Sequence, residues 1–221
     1  MNIILKSGTA SLIVQLVSMV VGTYVLLLPT NAANATLKIM LVIENVVNLI
    51  ELVFYIWMLY NFNILKNITT YRYYDWMVTT PTMLFTYIMY LNVVRKKETG
   101  ESTDFFHLVA QEKETIATVF GLNWLMLLMG YLGETGRLRT GLSTVLGFVP
   151  FVAMFAIIYV SYARHTTIGS STFFYFAVIW GLYGVAALLS YKIKNAMYNI
   201  LDLFAKNFFG LFLAYMVIFG S

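Results

Sequence analysis

Seven long apolar stretches constrain the fold of this chain more than any other feature of its sequence. At about 1.5 Å per residue, most are long enough as helices to cross the hydrocarbon core of a bilayer. The connections are short, which favours antiparallel neighbours in one bundle. The sequence therefore predicts an all-α membrane protein, a seven-transmembrane-helix bundle forming one domain over residues 1–221. The segments are about Thr9–Leu28 (A), Leu37–Tyr60 (B), Tyr71–Val94 (C), Ile116–Tyr131 (D), Thr140–Tyr162 (E), Ser171–Tyr191 (F) and Tyr198–Phe219 (G).

Composition supports this class and excludes others. Of the 221 residues, 60% are hydrophobic and 11% are charged, more apolar surface than a soluble domain of this length can hide. Cysteine is absent, and His107 and His165 lie apart in or beside polar connections, so we expect no metal centre. No basic run with interleaved aromatic residues indicates a nucleic-acid partner. We expect no enzymatic activity.

Basic residues hardly decide the orientation in the membrane. With the N-terminus outside, six Lys and Arg residues fall in inner connections and six in outer ones. The Arg95-Lys96-Lys97 cluster at the end of segment C favours an extracellular N-terminus. We expect an integral, multi-pass protein with that orientation.

One cation lies deep inside segment G. Lys206 stands eight residues from one end of the segment and thirteen from the other, and a cation at that depth costs about 3 kcal/mol. Asp202 precedes it by four residues, on the same helix face. Two interpretations stay open from these residues alone. One is a buried structural ion pair; the other is an amine joined to an aldehyde as a Schiff base, with a carboxylate counter-ion nearby.

Segment C carries polar residues that are unusual in a membrane helix. Arg72, Asp75 and Thr79 are spaced by three and four residues and share one face. Trp76 and Thr80 lie on the neighbouring strip. A membrane helix tolerates such residues only where they face a polar interior. Segment C is therefore predicted to face the inside of the bundle.

These motifs resemble the signature of a known family. Residues 72–81, Arg-Tyr-Tyr-Asp-Trp-Met-Val-Thr-Thr-Pro, together with residues 202–206, Asp-Leu-Phe-Ala-Lys, resemble the microbial (type 1) rhodopsins. Residues 130–134, Gly-Tyr-Leu-Gly-Glu, are similar to the proteorhodopsin-related branch, and residues 180–183 match the family's retinal-contacting Trp-x-x-Tyr. The resemblance covers all seven segments. The compact length and small loops are similar to those of the giant algal virus rhodopsins.

The resemblance implies a cofactor and a site. Lys206 would hold all-trans retinal as a Schiff base, with Asp75 as primary counter-ion and proton acceptor. Asp202 would be the second carboxylate, and Arg72 and Thr79 would complete the counter-ion complex. Met83 stands where relatives carry a colour-switching Leu or Gln, and its apolar side chain implies green absorption. The implied retinal pocket comprises Trp76, Thr80, Met83, Gly130, Trp180 and Tyr183.

Departures from the family pattern bear on mechanism. Thr86 stands eleven residues after Asp75, where pumps carry a carboxylate that reprotonates the Schiff base. Threonine has no useful acid group for this task. Gly184 and Ala187 stand where many relatives carry proline and a second tryptophan. Efficient outward proton pumping is therefore not expected.

A polar stripe, which the pump pattern does not use, follows segments A, B and G. Its spacing of i, i+4 and i+7 places the polar residues of A, and separately those of B, on one helix face. Intramembrane carboxylates are costly unless they line water or pair internally. Hydrogen bonding between helices is the alternative explanation, above all for the serines. The predicted ion path comprises Ser11, Gln15, Glu44, Asn48, Glu51, Asn199 and Asn207, with Ser18 continuing the stripe on A.

The sequence thus predicts a retinal-binding, light-gated cation channel whose partners are retinal, the lipid bilayer and monovalent cations or protons. Channelrhodopsins also carry glutamates on helix B, and one viral group that combines Asp-Thr-Thr on helix C with an acidic helix B is associated with cation conduction. The alternatives are an outward proton pump with a slow photocycle, using water or Glu51 as donor, and a sensory photoreceptor. For a viral protein, a host cell membrane is the expected location. A homo-oligomer stays open.

Overall fold

The structure is a computed structural model that describes residues 2–220, apart from the side chain of Ala33. Within these residues the chain forms seven helices that are long and apolar enough to cross a membrane. The predicted seven-helix fold and multi-pass membrane class are confirmed. Short 3₁₀ turns at Ala32–Asn34 and Ala163–His165 precede the second and sixth helices. The helices are α1 (Ile3–Leu27), α2 (Ala35–Tyr60), α3 (Ile68–Thr99), α4 (Phe105–Glu134), α5 (Thr140–Ser161), α6 (Thr167–Ala187) and α7 (Tyr191–Phe219).

Several helices extend beyond the predicted apolar segments because polar side chains cap them. The Asn2 side chain accepts from the amide of Ile4 at 3.1 Å, so α1 begins six residues before segment A. α3 runs through the basic cluster to Thr99 and ends at Gly100, whose φ of 71° is the left-handed conformation that favours glycine. The prediction that the fourth helix begins early, as a polar extension, is confirmed by its start at Phe105.

One predicted boundary is wrong. The sequence predicts that segment F continues to about Tyr191, but α6 ends at Ala187 and Tyr191 is the first residue of α7. Ser190 before it is extended, with φ −60° and ψ 149°, and the chain reverses direction here. Leu188 and Leu189 keep this connection apolar, so hydropathy alone did not reveal the break.

The helices pack in chain order, and α7 closes the ring against α1 and α2. In the 18-residue apolar stretch of each helix, the buried share of the residues is 72% for α3 and 56% for α7. The corresponding share is 22–28% for α1, α4, α5 and α6. The two helices that carry Asp75 and Lys206, α3 and α7, therefore form the interior. We call the end of the bundle that holds residue 2 and the α6–α7 connection the N-terminal face, and the opposite end the C-terminal face.

Candidate functional site

Lys206 lies in a short π-helical segment, Leu203–Asn207, that interrupts α7. Such segments are rare and frequently occur at functional sites. Lys206 is 1% exposed, and its Nζ lies 2.7 Å from Asp75 Oδ2 of α3 and 3.6 Å from Glu51 Oε1 of α2. The buried cation therefore joins three helices through two carboxylates. The contact with Glu51 was not predicted, because the sequence assigned that residue to the ion path or, in the pump alternative, to proton donation.

Asp202, on the same helix as Lys206, pairs with a different cation. Its Oδ2 lies 3.2 Å from Arg72 Nη1 and accepts from the Tyr55 hydroxyl at 2.6 Å, while its Oδ1 accepts from the Tyr183 hydroxyl at 2.7 Å. The Arg72 guanidinium is completely buried and also donates to Asn199 Oδ1. A carboxylate so fully paired and hydrogen-bonded can remain charged inside the bundle.

Thr79 contacts Asp75 differently from what the family pattern implies. The Thr79 hydroxyl donates to the backbone carbonyl of Asp75 at 3.0 Å, not to its carboxylate. Asp75 Oδ1 has no hydrogen-bond partner among the described residues. The second oxygen of this carboxylate is therefore available to another donor.

Tyr55 is a site residue that the sequence analysis missed. It stands four residues after Glu51, so it continues the polar face of Glu44, Asn48 and Glu51 by one more helical step. Its aromatic ring hid it among the apolar residues of α2. Extending the periodic face by that step would have found it.

A cavity between α3, α4, α5, α6 and α7 adjoins Lys206. It contains about 800 Å³ of space, including its open side. Lys206 is the charged residue among the described residues that line it, and Phe148 and Phe151 add aromatic walls. These residues fit a long apolar aldehyde bound covalently to the amine. The lining includes all six predicted pocket residues: Trp76, Thr80, Met83, Gly130, Trp180 and Tyr183.

The predicted ion-path residues are all buried, and some of them form contacts between helices. Gln15 Nε2 donates to Ser11 Oγ at 3.2 Å within α1. Asn207 Nδ2 donates to Asn48 Oδ1 at 3.1 Å between α7 and α2. Asn199 instead lies toward the N-terminal face, where its Nδ2 donates to Ser7 Oγ at 2.8 Å. The path residues that are at most 1% exposed are Ser11, Gln15, Glu44, Asn48, Glu51, Asn199 and Asn207.

Glu44 contacts the position on α3 at which the sequence lacks a carboxylate. The Thr86 hydroxyl donates to Glu44 Oε1, and both side chains are completely buried. Glu44 Oε2 has no partner among the described residues. The sequence pattern does not connect Glu44 with Thr86, because nothing in a single sequence pairs residues on two helices.

Comparisons with known proteins agree with this geometry. Viral rhodopsin OLPVRII superposes with a TM-score of 0.84 at 25% identity, covering 97% of both chains. The proton-pumping rhodopsin AR2 of the marine alga Acetabularia acetabulum gives a TM-score of 0.74 at 18% identity, covering 100% of this chain and 98% of that one. The blue light-absorbing proteorhodopsin from Med12 gives 0.72 at 18% identity, covering 97% and 96%.

Among curated proteins, none matches this sequence. The model of the family described as bacteriorhodopsin-like protein matches residues 6–219, nearly the whole chain. The predicted resemblance to microbial rhodopsins is thereby confirmed. The chain belongs to the bacteriorhodopsin-like family of microbial rhodopsins.

Proposed function

We propose that this protein is a light-gated cation channel with retinal bound to Lys206. One observation carries the channel proposal: α1, α2 and α7 pack against one another and each buries polar side chains, and those of α2 contact α7 at Lys206 and Asn207. Several of their oxygens, on Gln15, Glu51 and Asn207, have no hydrogen-bond partner among the described residues. Unpaired buried acceptors are costly in a membrane, and they suit a path that admits water and cations.

The proposed cofactor site is built from the chain's own groups. Lys206 Nζ would hold retinal covalently as a Schiff base, and Trp76, Trp180 and Met83 would enclose it. When bound, retinal supplies light absorption and photoisomerisation. Asp75 Oδ2, at 2.7 Å, is placed to stabilise a positive nitrogen on Lys206 and to take its proton.

Proton transfer to Asp75 would change the contacts that close the bundle. Lys206 and Arg72 face three carboxylates, those of Glu51, Asp75 and Asp202. Once the Lys206 nitrogen is neutral, its ionic contacts with Glu51 of α2 and Asp75 of α3 are lost, while the ion pair between Arg72 and Asp202 remains. Glu51 then lacks a charged partner at Lys206, so its carboxylate can attract a mobile cation. This gives light a direct effect on the path.

A closed apolar layer separates this path from the C-terminal face. It lies beyond Glu44 along α2 and beyond Asn207 along α7, and its members belong to one buried apolar cluster. Apolar constrictions gate channels by excluding water. Such a layer would keep the proposed channel closed in this conformation. The layer consists of Val25, Leu37, Met40, Leu41, Leu213 and Val217.

We infer an extracellular N-terminal face. The Arg95–Lys97 cluster lies at the opposite end of the bundle, and basic residues beside a membrane segment favour the cytoplasm. Cations would then enter near Arg72 and leave through the apolar layer. For a viral protein, the membrane is that of the host cell.

An outward proton pump is the second candidate, and the Glu44–Thr86 contact favours it. A carboxyl group on α2 lies where it can replace the missing α3 donor. In that case Glu44 would return a proton toward Lys206 from the C-terminal side. The apolar layer beyond it would make this return slow.

Whole-cell voltage clamp on retinal-supplied cells tests the proposal. A photocurrent that reverses sign, with a reversal potential that follows the Na⁺ or K⁺ gradient, is the expected result. An outward current at every voltage would instead establish a pump. A bleachable pigment with no current would overturn both and favour a sensory photoreceptor.

Amide variants of the two buried glutamates then test the path. Glu44→Gln and Glu51→Gln should reduce the current or change its ion selectivity while a coloured pigment still forms. Glu114→Gln is the matched control, because that glutamate is exposed. Unchanged current and selectivity in both buried variants would remove the stripe from the conduction path.

A further inference from the structure

Pro81 leaves one backbone carbonyl of α3 without its helical partner. Proline has no N–H, so the carbonyl of Met77, four residues earlier, cannot accept the usual hydrogen bond. Met77 lies on the outer side of the bundle and is 52% exposed. In the hydrocarbon region an unpaired carbonyl costs several kcal/mol, so a partner from elsewhere is strongly favoured.

Trp124 of α4 supplies that partner. Its Nε1 donates to Met77 O at 3.0 Å. Trp124 is 48% exposed on the outer surface of a membrane-spanning helix, where lipid rather than water would surround the bond. No competing water weakens a hydrogen bond in such surroundings. Trp124 does not line the retinal cavity, and the proposed function gives it no role.

The Met77–Trp124 bond holds the helical turn that carries Asp75. The carbonyls of Asp75 and Trp76 accept from the hydroxyls of Thr79 and Thr80, which belong to α3 itself. Among these three successive carbonyls, that of Met77 is the one held by a side chain of another helix. It therefore fixes the orientation of this turn relative to α4.

A second contact at the same level shows that α4 holds this turn closely. Asn123, beside Trp124, donates from Nδ2 to Thr80 Oγ1 at 2.8 Å. Asn123 binds a side chain, which can rotate, whereas Trp124 binds the backbone. The backbone bond is the one that can set the direction of the Asp75 side chain toward Lys206.

We propose that Trp124 is a positioning residue whose indole N–H holds the Asp75-bearing turn of α3 in register with Lys206. This inference rests on the proposed roles of Lys206 and Asp75. Loss of the N–H should let the turn rotate and weaken the attraction between Asp75 and the charged nitrogen. The absorption maximum should then shift to the red. The rate at which the photocurrent decays should change about fivefold, the effect of one net hydrogen bond.

The experiment replaces the N–H without changing the shape of the ring. Benzothienylalanine, in which sulfur replaces the indole N–H, is introduced at position 124 by nonsense suppression, beside the simpler Trp124→Phe. Trp57→Phe is the matched control, since Trp57 also lies half-exposed on the outer surface, but on α2. Absorption spectra and photocurrent decay are compared with those of the parent protein.

A second readout does not depend on the pigment. The chain has four tryptophans, so solid-state NMR of ¹⁵N-tryptophan-labelled protein can assign each indole N–H by single substitutions. The Trp124 signal should show a strong hydrogen bond both with and without retinal. A weakly bonded Trp124 signal would overturn the proposal even if the isostere variant failed to fold.

The outcomes separate this inference from the channel proposal. A red-shifted isostere variant beside an unchanged Trp57→Phe supports the positioning role. If the isostere variant keeps the absorption maximum and photocurrent decay of the parent, Trp124 only packs against α3 and the positioning role is refuted. If the parent pigment carries no photocurrent but the isostere still shifts its colour, the channel proposal fails and the positioning role stands.

Discussion

Lys206 owes its proposed chemistry to its place among acidic groups of two other helices. A lysine in hydrocarbon is unfavourable alone, but here its Nζ lies 2.7 Å from Asp75 and 3.6 Å from Glu51. Periodicity along one helix could show only Asp202 as its neighbour. The structure pairs Asp202 with Arg72 instead, so the contacts of the amine could not be predicted from spacing.

Substitution of Lys206 is the sharpest test at the scale of a residue. Lys206→Ala should abolish the retinal pigment, because no other amine of the described residues lines the cavity. Absorption spectroscopy after addition of retinal measures this. Lys6→Ala, at an exposed position, is the control and should keep normal colour. A parent-like spectrum for Lys206→Ala without added amine would refute the assignment.

At the scale of the element, an ion pair on the N-terminal face joins α4 to α7. Lys194 Nζ lies 2.6 Å from Glu134 Oε2, and each side chain is 11% exposed. Asn67, which caps α3, donates to Glu134 Oε1 at 3.0 Å. The beginnings of α3 and α7 and the end of α4 therefore meet at one carboxylate. The sequence motif containing Glu134 gave no sign of these partners.

This ion pair should matter for stability. Lys194→Met leaves Glu134 charged and nearly buried without its cation, which should destabilise the protein by about 3 kcal/mol. The temperature of thermal bleaching should fall, and addition of Glu134→Gln should recover part of the loss. Lys192→Met is the control, because Lys192 is exposed two residues away. Equal bleaching temperatures for the two lysine variants would contradict the prediction.

At the scale of the whole molecule, the proposed orientation can be tested with cysteines, because the chain has none of its own. Ser102→Cys lies in the α3–α4 connection on the C-terminal face, and Arg137→Cys lies on the N-terminal face; both positions are exposed. A membrane-impermeant maleimide added to intact cells should label only the Arg137→Cys protein. Ser102→Cys should react after permeabilisation. The reverse pattern would place the N-terminus inside.

The sequence by itself determined the seven apolar spans, the polar interior face of α3 and the family signature around Lys206. Each depends on residues close together in the chain, where hydrophobic length and helical period apply directly. The tertiary structure alone decided the contacts across helices: Glu51 on Lys206, Tyr55 on Asp202, Glu44 on Thr86 and Trp124 on Met77. Helix rotation and packing set these contacts. The spacing of residues in a single sequence does not show how one helix is rotated relative to another.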